Sequence, residues 1–137
     1  MSGYLLDTNV LSETRRRTPD TEVVAWLSAV PADQVSVSVL TIGELRYGVG
    51  LLAARDPDAV PGLQQWLDGI LVRFGRHIMD VDQKVVEVWA RLRVTRPLPA
   101  VDGLIAATAV AHNLTLVTRN TRDFAGLGVR LLNPFDQ

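Results

Sequence analysis

The chain has 137 residues, 47% of them hydrophobic, a net charge of −1 and no cysteine. That length suits one well-cored domain, read as residues 1–137, and is short for two. The missing cysteines exclude disulfides and cysteine-based zinc sites and fit a reducing compartment, while a charge near zero supplies no global pull toward nucleic acid. The N-terminus carries no basic region followed by a long apolar stretch, and the longest apolar tract, around Leu104–Ala111, is far too short to span a membrane. A cytoplasmic protein with no membrane association is expected.

In chain order, strands are expected at Tyr4–Leu6, Val35–Val39, His77–Val81, Leu116–Val117 and Val129–Leu132. Helices are expected at Val10–Glu13, Glu22–Val30, Ile42–Arg55, Ala59–Phe74, Gln83–Thr95 and Val101–His112. Strands alternating with helices imply crossover connections, so the expected fold is a three-layer α/β/α sandwich around a central parallel sheet. "PDAVPG" and "TRPLPAVDG" interrupt the pattern but are too short for domain linkers.

Ligands in such sheets bind outside the carboxyl ends of the strands. The acids near those ends are Asp7 after the first strand, Glu44 in the helix after the second, and Asp123 after "LTLVT"; Asp102 opens the helix leading into that last strand. Each has an ordinary explanation. Asp7 suits a helix cap. Thr41-Ile42-Gly43-Glu44 has the form of a capping box, in which the glutamate reaches back to the cap amide. Against that, Glu44 shares a helix face with Tyr47, Gly48 and Leu51, while Ile42, Leu45, Val49 and Leu52 make the opposite face apolar as well. A helix apolar on two faces is expected to be buried or to lie at an interface. Asp123 alone reads as a turn acid.

Asp102 is harder to explain away. From Val101 to Ala111 only Asp102 and Thr108 are polar. The helix dipole favours an acid in the first turn, but a carboxylate beside a packed helix also needs a partner, a cation or a raised pKa. No basic residue follows before His112, so a metal is the economical partner. Asp80 and Asp82 form a D-x-D pair in which Asp82 stands where a cap is expected, and His77 and His112 are solitary. Four acids without a nearby base or nucleophile suit a hard cation, Mg²⁺ or Mn²⁺, and phosphoryl chemistry. Thirteen of the 14 basic residues are arginine; Arg15-Arg16-Arg17 and the group Arg91, Arg93 and Arg96 are candidates for flanking phosphates or are solvated faces.

The segments "LLDTNVLSE", "SVLTIGELRYGV", "AVDGLIAATAVAHNLTLVTRNTRDF" and the closing "NPF" resemble, in order and from Tyr4 to Phe135, the PIN-domain family, and within it the VapC-type and FitB-like toxins of bacterial toxin–antitoxin pairs. The resemblance implies a Mg²⁺- or Mn²⁺-dependent endoribonuclease acting on RNA. It maps the regular acids onto Asp7, Glu44 and Asp102. Relatives place the fourth acid at the position of Asn120 or of Asp123, and here only Asp123 is acidic, which bears on a second metal. Thr8 and Asn9 match the polar pair beside the first acid, and Thr118 a hydroxyl that orients metal-bound water. The resemblance further implies a homodimer and a VapB/FitA-like antitoxin in a heterotetramer or larger assembly. It implies as well that the antitoxin's C-terminal segment lies across the groove and can push an arginine toward the acids, and that operator DNA would be bound only through the antitoxin.

Two alternatives stand beside this. One is a catalytically weak binding module of the same fold, acting through its antitoxin and operator DNA. The other is a phosphoaspartate protein built on Asp7. Dehalogenase-type enzymes want a second acid where Asn9 stands, and a receiver wants an adjacent acidic pair and a late lysine, whereas the one lysine is Lys84.

Overall fold

A computed structural model describes residues 3–136. Five short strands, β1 (Tyr4–Leu6), β2 (Val35–Ser38), β3 (Ile78–Met79), β4 (Thr115–Val117) and β5 (Arg130–Leu132), form one sheet in the order β3-β2-β1-β4-β5. Every pairing is parallel; in the centre Leu6 lies opposite Val37 on one side and Val117 on the other. The chain builds outward from β1 in one direction and then returns to add β4 and β5 on its other flank. The reversal lies between β1 and β4, where such sheets open a crevice at their carboxyl ends.

Side chains alternate across the sheet. Leu6, Val35, Val37 and Val117 face one buried cluster, filled by Val10 and Leu11 of α1 (Thr8–Glu13), Val23 and Leu27 of α2 (Thr21–Ala29), and Leu67, Ile70 and Phe74 of α4 (Val60–Phe74). Leu5 and Leu116 face the other, against Ile105, Ala106 and Ala109 of α6 (Ala100–Ala111) and Phe124 of α7 (Thr121–Phe124). Outside α6, Val85 and Val88 of α5 (Gln83–Thr95) pack on Ala107. These are the three expected layers.

Short polar side chains set the helix starts. Asp20 accepts from the amides of Glu22 and Val23 at 2.8 and 3.2 Å, and Asp82 accepts from Val85 at 3.0 Å, the cap expected of it. Ser38 accepts from the Leu40 amide at 3.0 Å, so α3 runs from Val39 to Arg55 and Val39 is helical, outside the expected strand. The expected strand His77–Val81 shrinks to Ile78–Met79, because residues 75–77 make a 3-10 turn. The single turn α7 was not legible in the sequence: four residues are too few for a periodicity. No helix among the described residues is long and apolar enough to cross a membrane.

Candidate active site

Asp7 stands at the sheet's reversal. Its amide donates to the carbonyl of Val117 at 2.8 Å, which fixes it between β1 and β4. Its buried carboxylate accepts from the Thr8 amide at 2.8 Å, the Thr118 hydroxyl at 2.8 Å and the Asn9 side-chain amide at 3.3 Å. It caps α1 and occupies the crevice at once, so the two readings of this residue are not alternatives. Burial pushes its carboxyl above the ordinary carboxylate range; the bonds from Thr118, Thr8 and Asn9 pull the other way, and the charge of Glu44 adds to the rise.

Thr118 and Asn9 brace this carboxylate. Having donated to Asp7, the fully buried Thr118 hydroxyl accepts from the Asn120 amide at 3.0 Å and from Asn9 at 3.3 Å. The Asn9 side-chain carbonyl accepts from the Arg119 amide at 3.2 Å. The loop after β4 is thereby stitched to the loop after β1.

Asp102 lies in the first turn of α6, half-buried, and its carboxylate makes no hydrogen bond or ion pair among the described residues. Burial raises its pKa, and the charges of Asp7 and then Asp123 raise it further. Asp123 is exposed on α7. Asp7 and Asp123 are thus each close enough to Asp102 to act on it.

Glu44 joins them from α3. With Ser38 as the cap, Thr41 lies inside the helix and the capping box does not form. Glu44 instead accepts from the Thr8 hydroxyl at 2.5 Å. Thr8 also lies 3.1 Å from the hydroxyl of buried Thr41; one hydroxyl has one proton, so Thr8 gives its own to Glu44 and takes one from Thr41. Thr41 entered the sequence reading only as a possible cap, and its role as a support was missed.

The acids are linked in pairs, Glu44 with Asp7 and each of Asp7 and Asp123 with Asp102, but among the described residues no three His, Cys, Asp or Glu side chains converge on one position. Two recesses flank them. A cleft of about 230 Å³ beside α1, α3 and α4 is lined by Thr8, Ser12, Arg15, Glu44 and Trp66, among others. A polar recess beyond β4 and β5 is lined by Arg119, Asn120, Thr121, Arg122, Asp123 and Asn133. Arg119, Arg122 and Asn133 lie within the segments that carry the family resemblance but were not singled out as site residues. The run Arg15–Arg17 divides: Arg15 reaches the first cleft, Arg16 pairs with buried Glu13 at 3.4 Å, and Arg17 is exposed.

The PIN domain family matches residues 4–129. Toxin FitB of Neisseria gonorrhoeae is 39% identical over 137 residues, covering 96% of this chain and 97% of that protein. VapC ribonuclease Y4jK of Sinorhizobium fredii is 31% identical over 138 residues, with 96% and 97% covered. Among solved structures, FitAcB from Neisseria gonorrhoeae superposes with a TM-score of 0.91 at 38% identity, covering 98% of this chain and 99% of that one.

Proposed function

The chain belongs to the PIN-domain family, and from that premise we propose that it is the toxin of a toxin–antitoxin pair, a Mg²⁺- or Mn²⁺-dependent endoribonuclease formed as one domain over its whole length. The reading is supported by the linked charges outside the strand ends, where Glu44 acts on Asp7, and Asp7 and Asp123 act on Asp102.

The donor set fits a hard cation. All four side chains offer carboxylate oxygens, and Asp102 lies beside two like charges with no partner of its own among the described residues. Asp7 and Asp102 would hold the ion, with Glu44 and Asp123 completing the set by rotation of exposed side chains. When bound, the ion supplies a nucleophile from water at neutral pH and offsets charge building on the phosphodiester. The protein's own contribution is orientation. Thr118, Asn9 and the Thr8 amide fix one rotamer of Asp7, and Thr41 through Thr8 holds Glu44 at the cleft. Arg15 and the loop of Arg119 to Arg122 stand on either side of the acids, where flanking phosphates of an extended RNA would pass.

The partner is a small antitoxin, and operator DNA is bound through it. An acidic crevice flanked by exposed apolar side chains suits the basic, amphipathic tail such a partner lays across it. The reaction and its RNA target place the protein in the cytoplasm.

The open arrangement of the acids favours one other reading, a catalytically weak module that works through antitoxin and operator. Purified protein incubated with RNA separates the two. Cleavage is expected with Mg²⁺ or Mn²⁺, is blocked by chelator, and is lost in Asp7→Asn and Asp102→Asn. Wild-type protein that binds antitoxin but cuts no RNA at any metal concentration would leave only the binding module.

A further inference from the structure

Arg96 closes α5 as its C-terminal cap, its backbone amide donating to the Leu92 carbonyl at 3.0 Å. One nitrogen of its guanidinium, Nη2, donates to two carbonyls at once, Asp123 at 2.6 Å and Ala125 at 3.0 Å. These carbonyls close the one-turn helix α7, which is too short to satisfy them internally. From this fork we infer that Arg96 is a positioning residue for the active site, holding the turn that carries Asp123 at a fixed distance from Asp102.

The mechanical argument runs through α5 and α6. Arg96 and Asp102 belong to one rigid pair: Val85 and Val88 pack on Ala107, and the connection Arg96-Pro97-Leu98-Pro99 is stiffened by two prolines, with the Pro99 carbonyl accepting from Gly103 at 2.9 Å. Asp123 belongs to a different unit. Its turn is followed by Gly126 and Gly128, at φ +83° and +75°, so the backbone beyond it is permissive and does not by itself fix where Asp123 stands. Phe124 anchors the turn in the core, but a single buried ring sets depth better than rotation. The Arg96 fork is a polar tie between the two units, and it grips the backbone of the very residue whose charge acts on Asp102. Both hydrogens of Nη2 are fixed in the guanidinium plane, so the two bond directions are held relative to one another in a way a freely rotating ammonium does not hold them.

The inference rests on the proposed metal centre, and the test keeps the two apart. Mn²⁺ binding to the purified chain is measured by calorimetry, together with kcat and KM on RNA and the melting temperature without metal, for Arg96→Ala, Arg96→Lys, Asp123→Asn and the Arg96→Ala/Asp123→Asn double variant. Arg96→Ala is expected to weaken Mn²⁺ binding by about tenfold and to lower kcat with little change in KM, within the range for residues that orient metal ligands. Arg96→Lys should recover part of both. The double variant should be no worse than Asp123→Asn alone, since an arm that only aims Asp123 has nothing left to aim. Arg96→Ala with wild-type Mn²⁺ affinity and kcat beside an impaired Asp123→Asn overturns the role of Arg96 and leaves the metal centre standing, as does a double variant whose losses simply multiply. An Asp123→Asn variant indistinguishable from wild type removes Asp123 from the centre, and the inference falls with it.

Discussion

Asp102 has a carboxylate with no hydrogen bond to lose among the described residues and two like-charged neighbours to escape. Its folded pKa lies above the ordinary carboxylate value of about 3.9. The folded chain therefore binds more protons than the unfolded chain in the window between those two values, and stability falls as pH rises through it, the full penalty being present at neutral pH. Asp102→Asn removes the penalty. Without metal at neutral pH the variant should melt on the order of 3 °C above wild type, and the gap should close as pH drops below the ordinary carboxylate range. In metal the order reverses, because Mn²⁺ stabilises wild type and not the variant, and RNA cleavage falls by roughly a hundredfold or more. Melting curves over pH with and without Mn²⁺ check the sign; a variant less stable than wild type without metal would return Asp102 to a helix-dipole role. The arginine run separates at the same scale. Arg15→Ala should reduce the salt dependence of RNA binding by about one phosphate contact, while Arg16→Ala, whose partner is Glu13, leaves that slope unchanged. An equal effect from both would make the run a diffuse basic patch.

At the scale of elements, what the sequence disclosed was whatever repeats or caps. Helix α5 stands at the expected residues, because Asp82 announces its start and the apolar period runs unbroken to Thr95. Helix α3 begins three residues early, because the cap is Ser38, a residue that reads equally well as the last position of a strand. Of the proposed site, Asp7 and Asp102 stand out in the sequence by their positions at element ends in apolar surroundings. The support of Glu44 by Thr41 through Thr8 was not, since it joins side chains 33 and 36 positions apart that no local pattern connects. Gly103 is a similar case. A Cβ there would lie 3.1 and 3.2 Å from the indole Nε1 and Cδ1 of Trp89, with α5 packed against α6. Gly103→Ala should force the indole aside and cost about 1–3 kcal/mol, and because the displaced helix carries Asp102, metal affinity should fall with it. Denaturant unfolding and Mn²⁺ titration of the variant measure both; unchanged values would show that α5 yields freely.

For the molecule as a whole, one face of α3 remains unclaimed. Tyr47 is 68% and Leu51 52% exposed, while Ile42, Leu45 and Val49 on the other side are half-buried against the chain's own core. The apolar character of both faces, read from the sequence, thus resolves into one face used internally and one left open. Exposed aromatic and aliphatic side chains beside the crevice are suited to a second subunit or to the antitoxin. Tyr47→Glu with Leu51→Glu should shift sedimentation toward monomer or weaken antitoxin binding by at least about tenfold, leaving metal affinity intact. Monomeric wild type with undiminished antitoxin binding in the double variant would clear this face of any role.

The position of β1 in the middle of the sheet has a consequence for synthesis on the ribosome. Asp7 emerges first, yet the hydroxyl that orients it belongs to Thr118, 111 positions later, and its strand partner β4 is made only shortly before. A chain interrupted after α5 carries Asp7 and Glu44 but neither Asp102 nor the strand that pins Asp7 in place. On the proposed site, a nascent chain cannot bring its acids together before Asp102 and Thr118 have both been made. The expected consequence is that an enzyme that cuts RNA has no assembled site while most of its own message is still being read.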